Sequence, residues 1–182
     1  MESTIALILA HLLADFPLQT NLLYELKRST TAGLWLHSGM HAVTAFLLTG
    51  LRWDLWYVWL FLLVSHALTD WVKLNSKIKK QWVSFLVDQT VHILVMVLIA
   101  RWQPTLTSAL PRGILYPAFA LAWLPAILMF LWVYADEVVH DLAQTHSRPP
   151  NWARWMQANL LQTSRVSGYP AILVAIIGIL LT

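Results

Sequence analysis

Six apolar stretches alternate with short polar segments along the chain, at about 4–24, 33–51, 55–74, 82–101, 115–136 and 166–182. A hydrocarbon layer about 30 Å thick needs roughly 20 helical residues to cross it, so each stretch predicts one spanning helix. The second is the most diluted, by His37, Ser38 and His41. Pro17, Pro125 and Pro170 fall in or near these stretches, where kinks are expected because neighbouring helices can satisfy the freed carbonyls. The first stretch does not read as a secretory signal: Glu2 stands where a basic region belongs, and polar residues interrupt the apolar run.

The pattern therefore predicts an all-α fold, a polytopic transmembrane bundle of about six helices forming a single integral membrane domain over residues 1–182. Composition agrees with it: 58% of residues are hydrophobic, the mean hydropathy is +0.60, and 12 Lys and Arg stand against 9 Asp and Glu. The absence of cysteine excludes disulfides, thiolate metal sites and a cysteine nucleophile. Basic residues are unevenly placed. Lys27, Arg28, Lys73, Lys77, Lys79, Lys80, Arg148, Arg154 and Arg165 follow the first, third and fifth stretches, whereas Arg52, Arg101 and Arg112 lie on the other side. The positive-inside rule then puts the first set in the cytoplasm, as in a bacterial cytoplasmic membrane, with both termini outside. The segment NWARWMQANLLQ, residues 151–162, has amphipathic spacing. It fits a helix lying in the inner interface and equally a loop helix packed on the bundle.

Against this apolar background the ionisable residues stand out. His11, Asp15 and Gln19 follow one another at four-residue steps in the first stretch; His37 and His41 open the second; His66 and Asp70 close the third before Lys73; and Asp88, Gln89 and His92 enter the fourth. By the loop charges, all four helices bring these groups to the same half of the bilayer. HLLADF at 11–16 and HALTDW at 66–71 share the pattern His-x-Leu-x-Asp-aromatic, and each is followed by a helix carrying HSGMH (37–41) or DQTVH (88–92). The first four helices thus read as two repeated helical hairpins over residues 1–101, with residues 102–182 as a less polar remainder. Asp136 and His140 give a reversed and weaker version.

A four-residue step leaves two side chains on one helical face, one turn apart, which suits two residues holding one ion. Imidazole and carboxylate without sulfur suit a divalent transition metal such as zinc, manganese or iron. The candidate ligands are His11, Asp15, His37, His41, His66, Asp70 and His92. Asp88, one turn from His92, is the candidate general base, and Gln19, Lys73 and Gln89 are candidate supporting or substrate-facing groups. The bland alternative is interhelical hydrogen bonding at about 0.6 kcal/mol per contact, which accounts for any one of these residues better than for all of them together. No GxSxG, P-loop or dinucleotide fingerprint occurs, and no nucleic-acid partner is expected. The tryptophans, including Trp53, Trp56, Trp59, Trp71, Trp82 and Trp102, mostly flank the stretches as interfacial anchors.

HLLADFPLQT, the H-x3-H of the second stretch, SHALTDWVK and FLVDQTVH together resemble the bacterial membrane-protein family catalogued as domain of unknown function 3307. The likeness covers about residues 5–95 and implies a small polytopic protein of unestablished activity.

The function expected from the residues is a membrane metalloprotein, a metal-dependent hydrolase acting on a membrane amphiphile from the cytoplasmic leaflet, with Lys73 holding an anionic head group. A cation- or proton-coupled transporter using the same site is the alternative; six helices would then need a homodimer or a membrane partner. A non-catalytic membrane subunit is the third reading.

Overall fold

A computed structural model describes residues 1–181 as helices joined by short connections. They are α1 (Glu2–Asp15), α2 (Asn21–Ser29), α3 (Thr31–Leu48), α4 (Trp56–Asn75, entered through a 3₁₀ turn at Trp53–Leu55), α5 (Gln81–Trp102), α6 (Arg112–Gln144), α7 (Asn151–Ser167) and α8 (Tyr169–Leu180). No strand occurs among the described residues. Four stretches are long and apolar enough to cross a membrane: Trp53–Asn75, Gln81–Trp102, Arg112–Gln144 and Asn151–Leu180, the last comprising α7 and α8 on either side of Gly168. At most 33% of each one's most apolar window is buried inside the protein. The remaining apolar surface faces outward, as a lipid-facing surface requires.

The first expected span, 4–24, is not one helix. Pro17 has no amide hydrogen with which to continue the ladder onto Leu13, whose carbonyl is met by Leu18 N instead, so α1 stops at Asp15. The chain turns, and the Thr20 hydroxyl accepts a hydrogen bond from Leu23 N to start α2. The 14 residues of α1 reach only about 21 Å, short of a hydrocarbon layer. This helix is instead enclosed by protein: Ala6, Leu7, Leu9 and Ala10 are fully buried, and α3, α5 and α6 pack around it. The second expected span is helical as α3, with His37, Ser38 and His41 on its buried side.

Contacts between loops sort the bundle into two ends. Glu2 pairs with Arg112, Arg52 Nη1 donates to Thr105 O at 3.1 Å and Ala109 N donates to Leu48 O at 2.9 Å. At the opposite, lysine-rich end, Lys80 pairs with Asp141 at 2.6 Å and Glu137 at 3.2 Å, while the Glu137 carboxylate also accepts from Trp82 N and caps α5. These carboxylates hold the Lys80 ammonium above its ordinary range. Any stability from this pairing is complete through neutral pH and is lost only as pH rises past the ordinary lysine value through the raised one.

The amphipathic segment 151–162 belongs to α7, which lies along α6. Trp132 Nε1 donates to Gln157 O at 3.0 Å, Gln157 Nε2 donates to Asp136 Oδ1 at 2.8 Å, and Tyr134 stacks on Trp152. These contacts tie α7 to α6 along its length. The buried residues of α6, which packs on both α1 and α8, include Ala118, Ala122 and Ala126, and those of α8 are Ala171, Ala175 and Gly178. Small residues at these spacings let helix backbones approach closely where no water drives association.

One approach is tighter still. A Cβ on Gly33 would lie 2.2 Å from the backbone carbonyl of Leu26, because α3 starts directly against the last turn of α2. Gly33→Ala is expected to cost about 1–3 kcal/mol through this clash, read as a lower unfolding midpoint in detergent. Gly39→Ala, inside the same helix where a Cβ meets nothing within 4 Å, is the matched control and should hold or slightly raise the midpoint, since mid-helix glycine costs about 0.5–1 kcal/mol relative to alanine.

Candidate metal centre

Four helices deliver the polar groups to one buried cluster. On α1, His11 and Asp15 sit one turn apart, as do His37 and His41 on α3, His66 and Asp70 on α4, and Asp88 and His92 on α5. All eight side chains lie inside the protein, Asp15 being the least buried at 8% side-chain exposure. The lysine-rich end follows directly, through Lys73 and the 76–80 loop.

Each carboxylate has a distinct set of neighbours. Asp15 Oδ1 lies 3.2 Å from His37 Nε2 and 3.3 Å from His41 Nε2, and its Oδ2 accepts from Gln89 Nε2 at 2.7 Å. Asp70 Oδ1 pairs with Lys27 Nζ at 2.8 Å, while Oδ2 lies 3.4 Å from His66 Nε2 and 3.5 Å from His37 Nε2. Asp88 Oδ2 pairs with Lys73 Nζ at 2.7 Å and Oδ1 lies 3.4 Å from His92 Nε2. Gln89 binds His11 Nε2 through its amide oxygen at 3.1 Å, so one side chain ties His11 to Asp15. Gln19 lies outside the helical stripe, in the turn after α1, yet its amide reaches His37 Nδ1 at 3.2 Å.

The imidazoles themselves are packed together. His41 and His66 stack at 3.6 Å between ring centroids, His66 and His92 at 4.0 Å, and His11 lies 5.0 Å from His92 and 5.1 Å from His41. Five of the seven histidines of the chain thus share one cluster. Neutral imidazole has one donor and one acceptor nitrogen, and buried polar atoms normally find partners. Here both nitrogens of His41 and of His66, His11 Nδ1, His92 Nε2, Asp70 Oδ2 and Asp88 Oδ1 are buried without a hydrogen bond.

Several of these atoms approach one another at 3.3–3.4 Å without the alignment of a hydrogen bond. That distance has a simple meaning in coordination chemistry. Ligand bonds of about 2.0–2.1 Å, arranged tetrahedrally, separate the ligand atoms by roughly 3.3–3.4 Å. Three groups have ligand atoms all within 4.8 Å of one another: Asp15, His37, His41 and His66; His11, His66 and His92; and Asp70, Asp88 and His92. The first and third have no residue in common. The donor set is nitrogen and carboxylate oxygen throughout, so these buried groups fit a divalent transition metal.

The structure brings together every ligand candidate named from the sequence, with Gln19, Gln89 and Lys73 on the periphery. Asp136 and His140 stay apart: His140 is exposed and bonds the Asp136 carbonyl at 2.8 Å. Lys27 was legible only as a loop charge, but it is buried beside Asp70. Its one signal was the four-residue step from Leu23, which puts both on the buried face of α2.

Breaking a buried ion pair by removing one partner typically costs about 3–5 kcal/mol. Lys27→Met is therefore expected to lower the unfolding midpoint of the metal-stripped protein. Zinc added to the variant should recover more of the midpoint than it adds to the wild type, because a cation at Asp70 replaces the lost ammonium. Thermal unfolding with chelator and with zinc checks both statements.

Residues 4–116 match the model of the family described as protein of unknown function (DUF3307). No curated protein matches the chain, and neither does any solved structure. The match covers more than half of the chain and contains every residue of the cluster, both lysines and both glutamines. By that match, the chain belongs to the DUF3307 family.

Proposed function

We propose that this protein is an integral membrane metalloprotein, a hydrolase that cleaves a phosphoester or amide bond in a membrane amphiphile. The observation that carries the reading is the set of buried nitrogen and carboxylate atoms without hydrogen bonds, spaced at ligand-to-ligand distance. Nothing in a lipid-embedded bundle retains so many unsatisfied groups without a compensating partner.

One ion would be held by Asp15, His37, His41 and His66, and a second by Asp70 and His92, with His11 beside both sets and Asp88 next to the second, left free of the ion. Zinc, manganese or iron(II) suits such donors. A bound ion of this kind polarises the scissile group and lowers the pKa of water. Asp88 Oδ1, buried and without a hydrogen bond, is the base that accepts a proton at the open side of the site. Gln89 fixes His11 and Asp15, and Gln19 fixes the orientation of His37. We read α1 with α3 and α4 with α5 as copies of one hairpin, with α2 inserted in the first copy only. The lysine-rich end faces the cytoplasm of a bacterial cell and the opposite end, with both termini, faces outward.

The apolar filling of the other half favours hydrolysis over transport. Beyond His11 the interior is Ala6, Leu7 and Leu9 of α1, with Leu48, Val58, Leu62, Met96 and Ile99, all buried. The polar chain thus opens towards one end, which suits a reaction site better than a path across the bilayer.

Metal analysis of detergent-purified protein tests the proposal. The wild type should carry one or two equivalents of a transition metal. Asp15→Asn and His66→Ala should each lose at least half of it while keeping a monodisperse size-exclusion profile. A well-folded wild type that neither retains nor takes up metal overturns the reading.

A further inference from the structure

Between α4 and α5, at the lysine-rich end, the surface opens into a groove of about 260 Å³. Its walls are Leu68 and Val72 of α4 and Val87 and Val91 of α5, all four exposed on the outer surface of the bundle. Its polar members are Thr69, Ser76 and Ser84 together with the charged pair Lys73 and Asp88. The volume falls just under the roughly 300 Å³ at which small-molecule sites usually begin. It accommodates a length of hydrocarbon chain better than a whole ligand.

Lys73 connects this groove to the cluster. Its ammonium pairs with Asp88 Oδ2 at 2.7 Å while 31% of the side chain remains exposed, whereas Asp88 is 3% exposed and reaches His92 with its other oxygen. A single ion pair therefore stands between a lipid-accessible apolar groove and the buried His/Asp groups. Lys77 and Lys79 in the adjoining loop add positive charge near the groove, where anionic head groups concentrate, whereas Lys80 is taken up by Asp141 and Glu137.

We propose that this groove is the lateral entrance of the site, and that it selects an amphiphile with an anionic head group. The apolar tail lies against Val72, Val87 and Val91, and the anionic head displaces Asp88 as the partner of Lys73. The exchange keeps Lys73 paired and frees the Asp88 carboxylate for the cluster. Lys73 is thus a specificity-determining residue: a neutral or zwitterionic head offers no net charge for the exchange, and the Lys73–Asp88 pair stays closed. This inference rests on the hydrolase reading only in taking the cluster as the reacting centre; the binding step stands on the groove and the ion pair.

A photoreactive probe reads that step without turnover. Dodecyl phosphate carrying a diazirine at mid-chain is added to the protein in phosphatidylcholine nanodiscs, and crosslinks are mapped by mass spectrometry beside those of the same chain on a maltoside head. The phosphate probe should label the α4–α5 groove at least fivefold more than the maltoside probe, with no such preference at Leu98, which is exposed on α5 away from the groove. Lys73→Gln should abolish the preference and Lys73→Arg should retain it. Equal labelling by both probes, or a preference unchanged in Lys73→Gln, overturns the proposal. Repeating the labelling on chelator-treated protein separates the two readings: a preference that survives in a wild type shown to take up no metal supports the entrance and leaves the hydrolase reading overturned.

Discussion

Three carboxylates buried among apolar helices set the terms for the rest of this structure. An unpaired buried carboxylate costs several kcal/mol, and each must meet a cation or a set of hydrogen-bonding groups. Asp70 and Asp88 meet Lys27 and Lys73, approaching from α2 and from the end of α4. Asp15 has no lysine and is held instead by Gln89 and the histidines of α1 and α3. To satisfy all three at once, α1, α3, α4 and α5 must keep one relative height and rotation. A shift of any helix by one turn, about 5.4 Å, would part its two polar residues from those of its neighbours. The cluster therefore works as a register lock for the bundle.

The helices that contribute nothing to the cluster serve this arrangement from behind. With small buried residues on α6 and α8, α6 can seat closely against α1 and α8 against α6. Such packing limits how far α1 can slide or rotate, which matters because α1 carries His11 and Asp15 on a helix of only 14 residues. The 33 residues of α6 run past the apolar region to hold α7 at the lysine-rich end.

Much of this was written in the sequence at the level of the single helix. His–Asp and His–His steps of four are geometric statements, and in an apolar stretch they identify the inward face without further information. The expected stretches 55–74, 82–101, 115–136 and 166–182 each overlap one of the four long apolar segments, the last of which starts earlier, at Asn151. Where the reading failed, the deciding influence was tertiary or lay in a single residue. The apolar run 4–24 concealed the break that Pro17 imposes, so Gln19 was placed on the stripe of His11 and Asp15 when it reaches the cluster from a turn. Lys27 was counted with the loop charges because nothing in NLLYELKRS reveals that Asp70, more than forty residues later, needs a cation. The hydrogen bond from Gln157 of α7 to Asp136 of α6 joins two residues whose pairing nothing in the sequence reveals.

The enclosure of α1 bears on how the protein reaches this state. This helix is made before every helix that surrounds it, yet it is too short to cross a bilayer unaided and carries a histidine and an aspartate that lipid would reject. Its carboxylate gains Gln89 only once α5 has been synthesised, and its apolar back gains the α6 alanines later still. The groups that enclose it all lie later in the chain, so α1 is fully partnered only when α6 is present, and a ribosome nascent chain stalled before α6 lacks part of that enclosure.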